Sequence, residues 1–123
     1  MSLEANETGN LIGSDKVEGT AVYGSDSNKI GSIERVMIDK KSGRVSYAVL
    51  SFGGFLGIGE KYHPLPWSTL HYDESMGGYV VNVDRKMLED APTYDANDDF
   101  RWTPDYGQRV DKYYNAPSFW PAV

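Results

Sequence analysis

The sequence contains no cysteine and no long apolar run. The absence of cysteine excludes disulfide bridges, thiol nucleophiles and cysteine-ligated zinc, so packing alone must hold the core. No apolar stretch approaches the roughly 20 residues that a membrane-spanning helix requires. Residues 1–16 are polar and lack the apolar segment of a secretory signal. We therefore predict a cytoplasmic protein without membrane insertion.

An excess of basic residues is also missing. The chain has 12 Lys and Arg against 18 Asp and Glu, which gives a formal net charge of −6. Affinity for nucleic acid comes largely from Lys and Arg that neutralise phosphates. The charge balance therefore predicts no nucleic-acid partner and gives little affinity for an anionic membrane surface.

Signatures of catalysis are absent as well. The sequence has no Gly-x-Ser-x-Gly elbow and no thiol, and no pair of acids is placed in a common cleft by its spacing. The glycine-rich residues 53–61 match neither G-x-G-x-x-G nor a P-loop, and no helical pattern follows them to bind phosphate. We predict that the protein is not an enzyme and holds no nucleotide cofactor.

Metal binding has little support in the sequence. His63 and His71 lie eight residues apart on extended segments, which is not a recognised ligand spacing. Residues 95–99 begin like a calcium loop, but Phe100 replaces the required Gly and Tyr106 stands where the bidentate Glu belongs. We expect two ordinary histidines, a solvated acidic segment and no bound metal.

Glycine and aromatic residues are abundant. The 123 residues suit one compact domain, and they include 13 Gly and 16 aromatics. Strands favour aromatic side chains and tight turns require Gly, so the composition predicts an all-β fold. We divide the chain into a flexible N-terminal arm (1–16), a small, mostly antiparallel β-barrel (17–92) and an aromatic-rich C-terminal extension (93–123).

Alternating apolar residues locate the strands. We predict strands at 17–23, 29–39 and 44–52, an edge or extended segment at 62–67, and a hairpin of 70–72 with 79–83. The step from Ile33 to Val36 predicts a β-bulge near residues 34–35 that returns Val36 and Ile38 to the inner face. Strand 44–52 is apolar on both faces, which indicates a strand covered on two sides. Asp84 is the expected N-cap of a short helix whose Met87 and Leu88 face inward.

Four segments together resemble the PRC-barrel family, named after the cytoplasmic barrel of the photosynthetic reaction centre H subunit. They are residues 31–39, residues 43–50, the FGGFLGIGEK run at 52–61 and the PLPW run at 64–67. The resemblance spans about residues 17–92. It implies a small β-barrel that serves as a protein-interaction module, here as a free-standing bacterial member. The aromatic extension matches neither the reaction-centre subunit nor the ribosome maturation factor of that family.

The glycine loop is the first candidate contact region. Its apolar side chains either fold back as a core lid or stand exposed as a contact patch, because clustered exposed apolar residues mark interfaces. The neighbouring charge pair is either a rim pair or a recognition element. The candidate residues are Phe55, Leu56, Ile58, Glu60 and Lys61.

The extension is the second candidate region. It holds 8 of the 16 aromatics, whereas disordered tails are poor in aromatics. We therefore expect it to dock on its own barrel or across a homodimer, with a short helix around residues 106–114. The candidate residues are Trp102, Tyr113, Tyr114, Phe119 and Trp120.

A non-catalytic interaction module, self-associating as a homodimer, is the function that these features favour. A small-ligand or stress-sensing barrel that binds an apolar metabolite is the alternative. A hydrolase is disfavoured because no nucleophile motif is present.

Overall fold

The computed structural model describes residues 7–8, 11–51, 61–95 and 101–117. The N-terminal part comprises strands β1 (Glu7–Thr8) and β2 (Leu11–Ile12), which pair with each other, and the one-turn helix α1 (Ser14–Val17). The main strands are β3 (Ala21–Tyr23), β4 (Lys29–Ile38), β5 (Val45–Ser51) and β6 (Lys61–Pro66). A 3-10 turn (Trp67–Thr69) then leads to β7 (Leu70–Asp73) and β8 (Gly78–Val81). Helix α2 (Arg85–Glu89), strand β9 (Tyr94–Asp95) and helix α3 (Pro104–Tyr113) complete the chain.

Seven strands form one mixed sheet in the order β7-β8-β3-β4-β5-β6-β9. Five neighbouring pairs are antiparallel, whereas β3 and β8 run parallel. Within the described residues no ladder joins the two ends of this order, so hydrogen bonds do not close the sheet. The fold is therefore mostly β, with short helices, and consistent with the predicted barrel.

β7 at one end of the sheet nevertheless directly follows β6, which lies next to the other end, in the chain. β6 and β7 are joined by only the three residues of the 3-10 turn, which span about 10 Å at most. Since β8 runs parallel to β3, the pairings give β6 and β7 the same direction. They act as one bent strand, of which the first half pairs with β5 and the second with β8. This bend curls the sheet around its core.

The turn chemistry follows the sequence. Asp39 accepts hydrogen bonds from the Lys41 and Ser42 backbone between β4 and β5, and Gly43 takes a positive φ of 78°. In the β7–β8 turn Asp73 accepts from the Ser75 backbone, and Gly77 has a φ of 66°. The predicted hairpin of 70–72 with 79–83 is confirmed.

The predicted bulge on β4 is confirmed. Ile33 pairs with Leu50 and Arg35 with Val49, so Glu34 is the extra residue. Val36 returns to pack against the core. The prediction for Ile38 is wrong: a second register shift after Met37 places it at the strand end, where half of its surface is exposed.

Two further local predictions need correction. The first sheet strand begins at Ala21 instead of residue 17, because Val17 ends helix α1 and is buried from there. Asp84 caps α2 by accepting from the Met87 backbone nitrogen, as predicted, and Leu88 is buried. Met87 does not face inward: it is 39% exposed, since it lies next to Leu88 on a five-residue helix and faces a different direction.

The inner face of the curled sheet encloses the main core. Strands β3 to β8 contribute alternating side chains, and α1 and α2 add one residue each from outside the sheet. This inner core consists of Val17, Val22, Ile30, Ile33, Ala48, Leu50, Leu65, Leu70, Tyr79, Val81, Val83 and Leu88.

His63 is a buried polar residue of β6, opposite Leu50 and therefore on the inner face. Burial lowers the pKa of His63 from 6.5 to about 4; a hydrogen bond with the Leu88 backbone opposes this shift, and Lys61 adds to it. The neutral ring thus links β6 to helix α2.

The buried histidine predicts a loss of stability in mild acid. The unfolded chain binds a proton near pH 6.5 and the folded chain only near pH 4, so stability is full above pH 6.5 and falls below it. We expect the free energy of unfolding to drop by about 2 kcal/mol between pH 7 and pH 5. Urea titrations at both pH values measure it.

His71 provides the matched control, because it is exposed on β7. The His63→Gln variant should lose this pH dependence, whereas His71→Gln should keep it. An unchanged pH dependence in His63→Gln would contradict the assignment.

Candidate interaction surfaces

Strand β5 is buried on both faces. Ala48 and Leu50 point into the inner core, whereas Tyr47 and Val49 alternate to the outer face and are equally buried. The strand was expected to be covered on two sides, and this expectation is confirmed. Whatever covers Tyr47 must come from outside the curled sheet.

Helix α3 supplies the cover. Its N-cap Thr103 accepts a hydrogen bond from the Tyr106 backbone nitrogen, and Pro104 occupies the first turn, where its missing N–H costs nothing. Tyr106 and Val110 lie one turn apart and therefore line one face of the helix. Trp102 precedes the N-cap and packs beside Tyr106. The helix predicted around residues 106–114 is confirmed, starting two residues earlier.

The side chains between α3 and the sheet form a second apolar cluster, which meets the inner core at Tyr114. Tyr47, Tyr106 and Val110 are its buried members. Met37, Tyr94, Trp102 and Tyr114 pack against them. We call these seven residues the outer cluster.

Aromatic rings dominate the outer cluster. The ring of Trp102 lies 4.9 Å from that of Tyr47, 5.6 Å from that of Tyr106 and 6.3 Å from that of Tyr94. Most of these pairs meet edge to face, the arrangement that aromatic quadrupoles favour. The rings tie the α3 segment to β5 and β9 of the same chain.

Two polar contacts fix α3 in place. The Tyr47 hydroxyl donates to Asp111 Oδ1 at 2.9 Å and lies 3.3 Å from the Gly107 carbonyl oxygen. Asp111 is only 2% exposed. At the end of the helix, the Tyr113 hydroxyl donates to the Met87 carbonyl oxygen at 2.5 Å. Position 111 therefore faces the sheet, although it carries a carboxylate.

An arginine borders the outer cluster. The Arg35 guanidinium lies 5.0 Å from the centre of the Tyr62 ring and donates to the Tyr94 hydroxyl at 3.4 Å. It thus joins β4 to two strands that are not its neighbours in the sheet, to β6 by cation–π attraction and to β9 by a hydrogen bond. Burial raises the pKa of Tyr94, so the phenol stays neutral near Arg35.

Of the predicted contact residues, the structure brings three together at α3. Trp102 and Tyr114 belong to the outer cluster, and Tyr113 holds α2. Lys61 is exposed at the start of β6, opposite Asp95 of β9. The other predicted residues lie outside the described residues: Phe55, Leu56, Ile58, Glu60, Phe119 and Trp120.

A second surface lies at the open edge of the sheet. Tyr72 follows Leu70 by two residues on β7 and so shares its inward face, yet it is 45% exposed. Its ring packs edge-on against Tyr79 at 5.2 Å, and Trp67 contacts Tyr79 from the other side at 5.3 Å. The described residues leave the β7 edge unpaired.

Sequence analysis missed several residues of these surfaces. The sequence pattern places Tyr47 on one face of a doubly covered strand. It does not indicate the hydrogen-bond partner, because Asp111 lies 64 positions away. Arg35 and Tyr72 carried no motif. The sequence did indicate that Tyr47 is buried, because an aromatic residue on the outer face of a strand with two apolar faces requires another segment to pack over it.

The described ranges contain no group of three or more His, Asp or Glu side chains arranged to hold a metal ion. No helix among them has the length and apolar character needed to cross a membrane.

Comparison with known families identifies the fold. The family model of the PRC-barrel domain matches residues 9–88, about two thirds of the chain. The chain belongs to the PRC-barrel family. This is a family of general protein-interaction modules. No curated protein matches the sequence.

Two hydroxyls in and around α3 make a matched pair for mutation. Tyr47→Phe removes the donor to the buried Asp111 carboxylate and should destabilise the protein by about 1–3 kcal/mol. The Tyr114 hydroxyl is buried with no hydrogen-bond partner among the described residues, so Tyr114→Phe should be neutral or stabilising by up to about 1 kcal/mol. Chemical denaturation followed by tryptophan fluorescence compares them. Equal losses in both variants would contradict the assignment.

Proposed function

We propose that this protein is a non-catalytic protein-interaction module that self-associates as a homodimer through the edge of β7. The observation that carries the proposal is Tyr72, an inward-facing residue of an edge strand that remains 45% exposed. Unpaired strand edges are templates for pairing with another chain. The membership of a family of interaction modules supports the same role.

The geometry of the edge suits a symmetric dimer. Two copies of β7 that pair antiparallel about a two-fold axis continue the sheet from one protomer into the next. The two Tyr72 rings are then covered by the partner copy. The net charge of −6 favours a protein partner over a polyanion.

The glycine loop remains a second proposed contact for a different protein. Its apolar residues Phe55, Leu56 and Ile58 are proposed to contact that partner, flanked by Glu60 and Lys61. Phe55→Asp combined with Leu56→Asp tests this contact by affinity capture beside the wild type. A partner recovered equally by both proteins would exclude the loop.

A charge on the inward face of β7 should break the dimer. Tyr72→Lys places an ammonium group where the partner's ring would pack, and inward-pointing charges block edge pairing. Sedimentation velocity over a concentration series should show a dimer for the wild type and a monomer for Tyr72→Lys.

Met87→Lys is the matched control, since Met87 is a similarly exposed apolar residue on α2, 39% exposed. This variant should keep the dimer. A wild type that stays monomeric at every concentration, or a dimer retained in Tyr72→Lys, would refute the β7 interface.

A further inference from the structure

Helix α3 is an addition to the family domain. The PRC-barrel match ends at residue 88, whereas α3 begins at Pro104. The helix nevertheless covers a face of the sheet that the domain itself provides, through Met37 and Tyr47. The domain therefore has an apolar face that needs a cover, and in this chain a separate segment supplies it.

The contacts of α3 define what this face recognises. Two anchors one helical turn apart, Tyr106 and Val110, occupy the apolar part beside Trp102, and Val110 has no exposed surface. Asp111 follows the second anchor and accepts the hydrogen bond from the Tyr47 hydroxyl. The face thus binds an amphipathic helix with an acidic residue beside its last anchor.

Two features weaken the docking of α3, although Tyr114 also packs against the inner core. The contact buries the Asp111 carboxylate and the Tyr114 hydroxyl, and burial of polar groups costs free energy that an apolar contact of equal size would not lose. A ten-residue helix is too short to be stable alone in water, so α3 is helical because it is docked. We therefore expect α3 to become helical as it docks on the sheet and to detach from the sheet as one unit.

From these contacts we infer that α3 is an intramolecular ligand that blocks a helix-binding face. The competing ligand is a helical segment of another protein with the same chemistry. It carries two apolar anchors one helical turn apart, a carboxylate directly after the second anchor, and an aromatic residue just before the helix N-cap. The inference rests on the proposed role in protein interaction, but it does not depend on the β7 edge.

A peptide with the sequence of residues 101–117, labelled with fluorescein, tests this inference on the full-length chain. In the wild type the attached helix competes at an effective concentration of the order of mM, so the peptide should bind weakly. Val110→Asp weakens the attached helix and should raise the affinity for the peptide at least about tenfold, measured by fluorescence anisotropy.

Gln108→Asp is the control, because Gln108 is exposed in the same turn of α3. It should bind the peptide as weakly as the wild type does. A peptide that itself carries Val110→Asp should not bind any of the proteins. Equal affinity of the wild type and Val110→Asp, or no binding by either, would overturn the inference.

Hydrogen exchange on the wild type keeps the inference testable if Val110→Asp fails to fold. The amides of α3 should exchange faster than those of β5, by an opening that leaves β5 protected. Exchange of α3 as slow as that of β5 would make the helix an integral part of the fold and overturn the inference.

A mixing experiment tests whether the helix that occupies the face comes from a second copy of the chain. For the wild type and each variant, two pools of different isotopic mass are mixed and mixed dimers are measured. Mixed dimers that persist in Tyr72→Lys but are lost in Val110→Asp would show that copies exchange α3 with each other. That result would overturn the assignment to a foreign helix. If mixed dimers are lost only in Tyr72→Lys, the β7 interface and the helix-binding face are two separate surfaces. This result would support the inference.

Discussion

The burial of β5 on both faces is the constraint on which the rest of the structure depends. A strand in a curled sheet has one side chain row inside, and here Ala48 and Leu50 fill that role. The other row includes Tyr47, whose ring and hydroxyl are both removed from water. An apolar face of this kind cannot remain exposed without cost. The C-terminal extension is therefore required by the composition of one central strand.

Curling of the sheet has a second consequence at its ends. Because β6 continues into β7 through the 3-10 turn, the chain brings β7 at one end of the sheet back to β6 near the other end, and no ladder joins these two strands among the described residues. This leaves an edge whose inner face is incompletely covered at Tyr72. The molecule thus has one face that its own chain covers and one edge that remains open. These are the two surfaces that we propose for protein contacts.

The aromatic residues have different roles in these two places. In the outer cluster the rings of Tyr47, Trp102 and Tyr106 pack closely and contribute to the stability of the single chain. At the β7 edge Tyr72 packs against Tyr79 and keeps 45% of its surface exposed. The same residue type therefore stabilises the chain in one location and forms the proposed contact in the other, and burial distinguishes the two.

The sequence by itself determined the local elements. The three-residue step at Ile33 required a bulge, Asp84 required a helix start, and two-sided apolar residues at 45–50 required a doubly covered strand, because each depends on neighbours within a few positions. Only the tertiary structure decided the rest. The parallel pairing of β8 with β3, the exposure of Ile38 and Tyr72, and the bond from Tyr47 to Asp111 all depend on segments distant in sequence. Local patterns specify that a face is apolar, but which segment covers it is settled by the path of the whole chain.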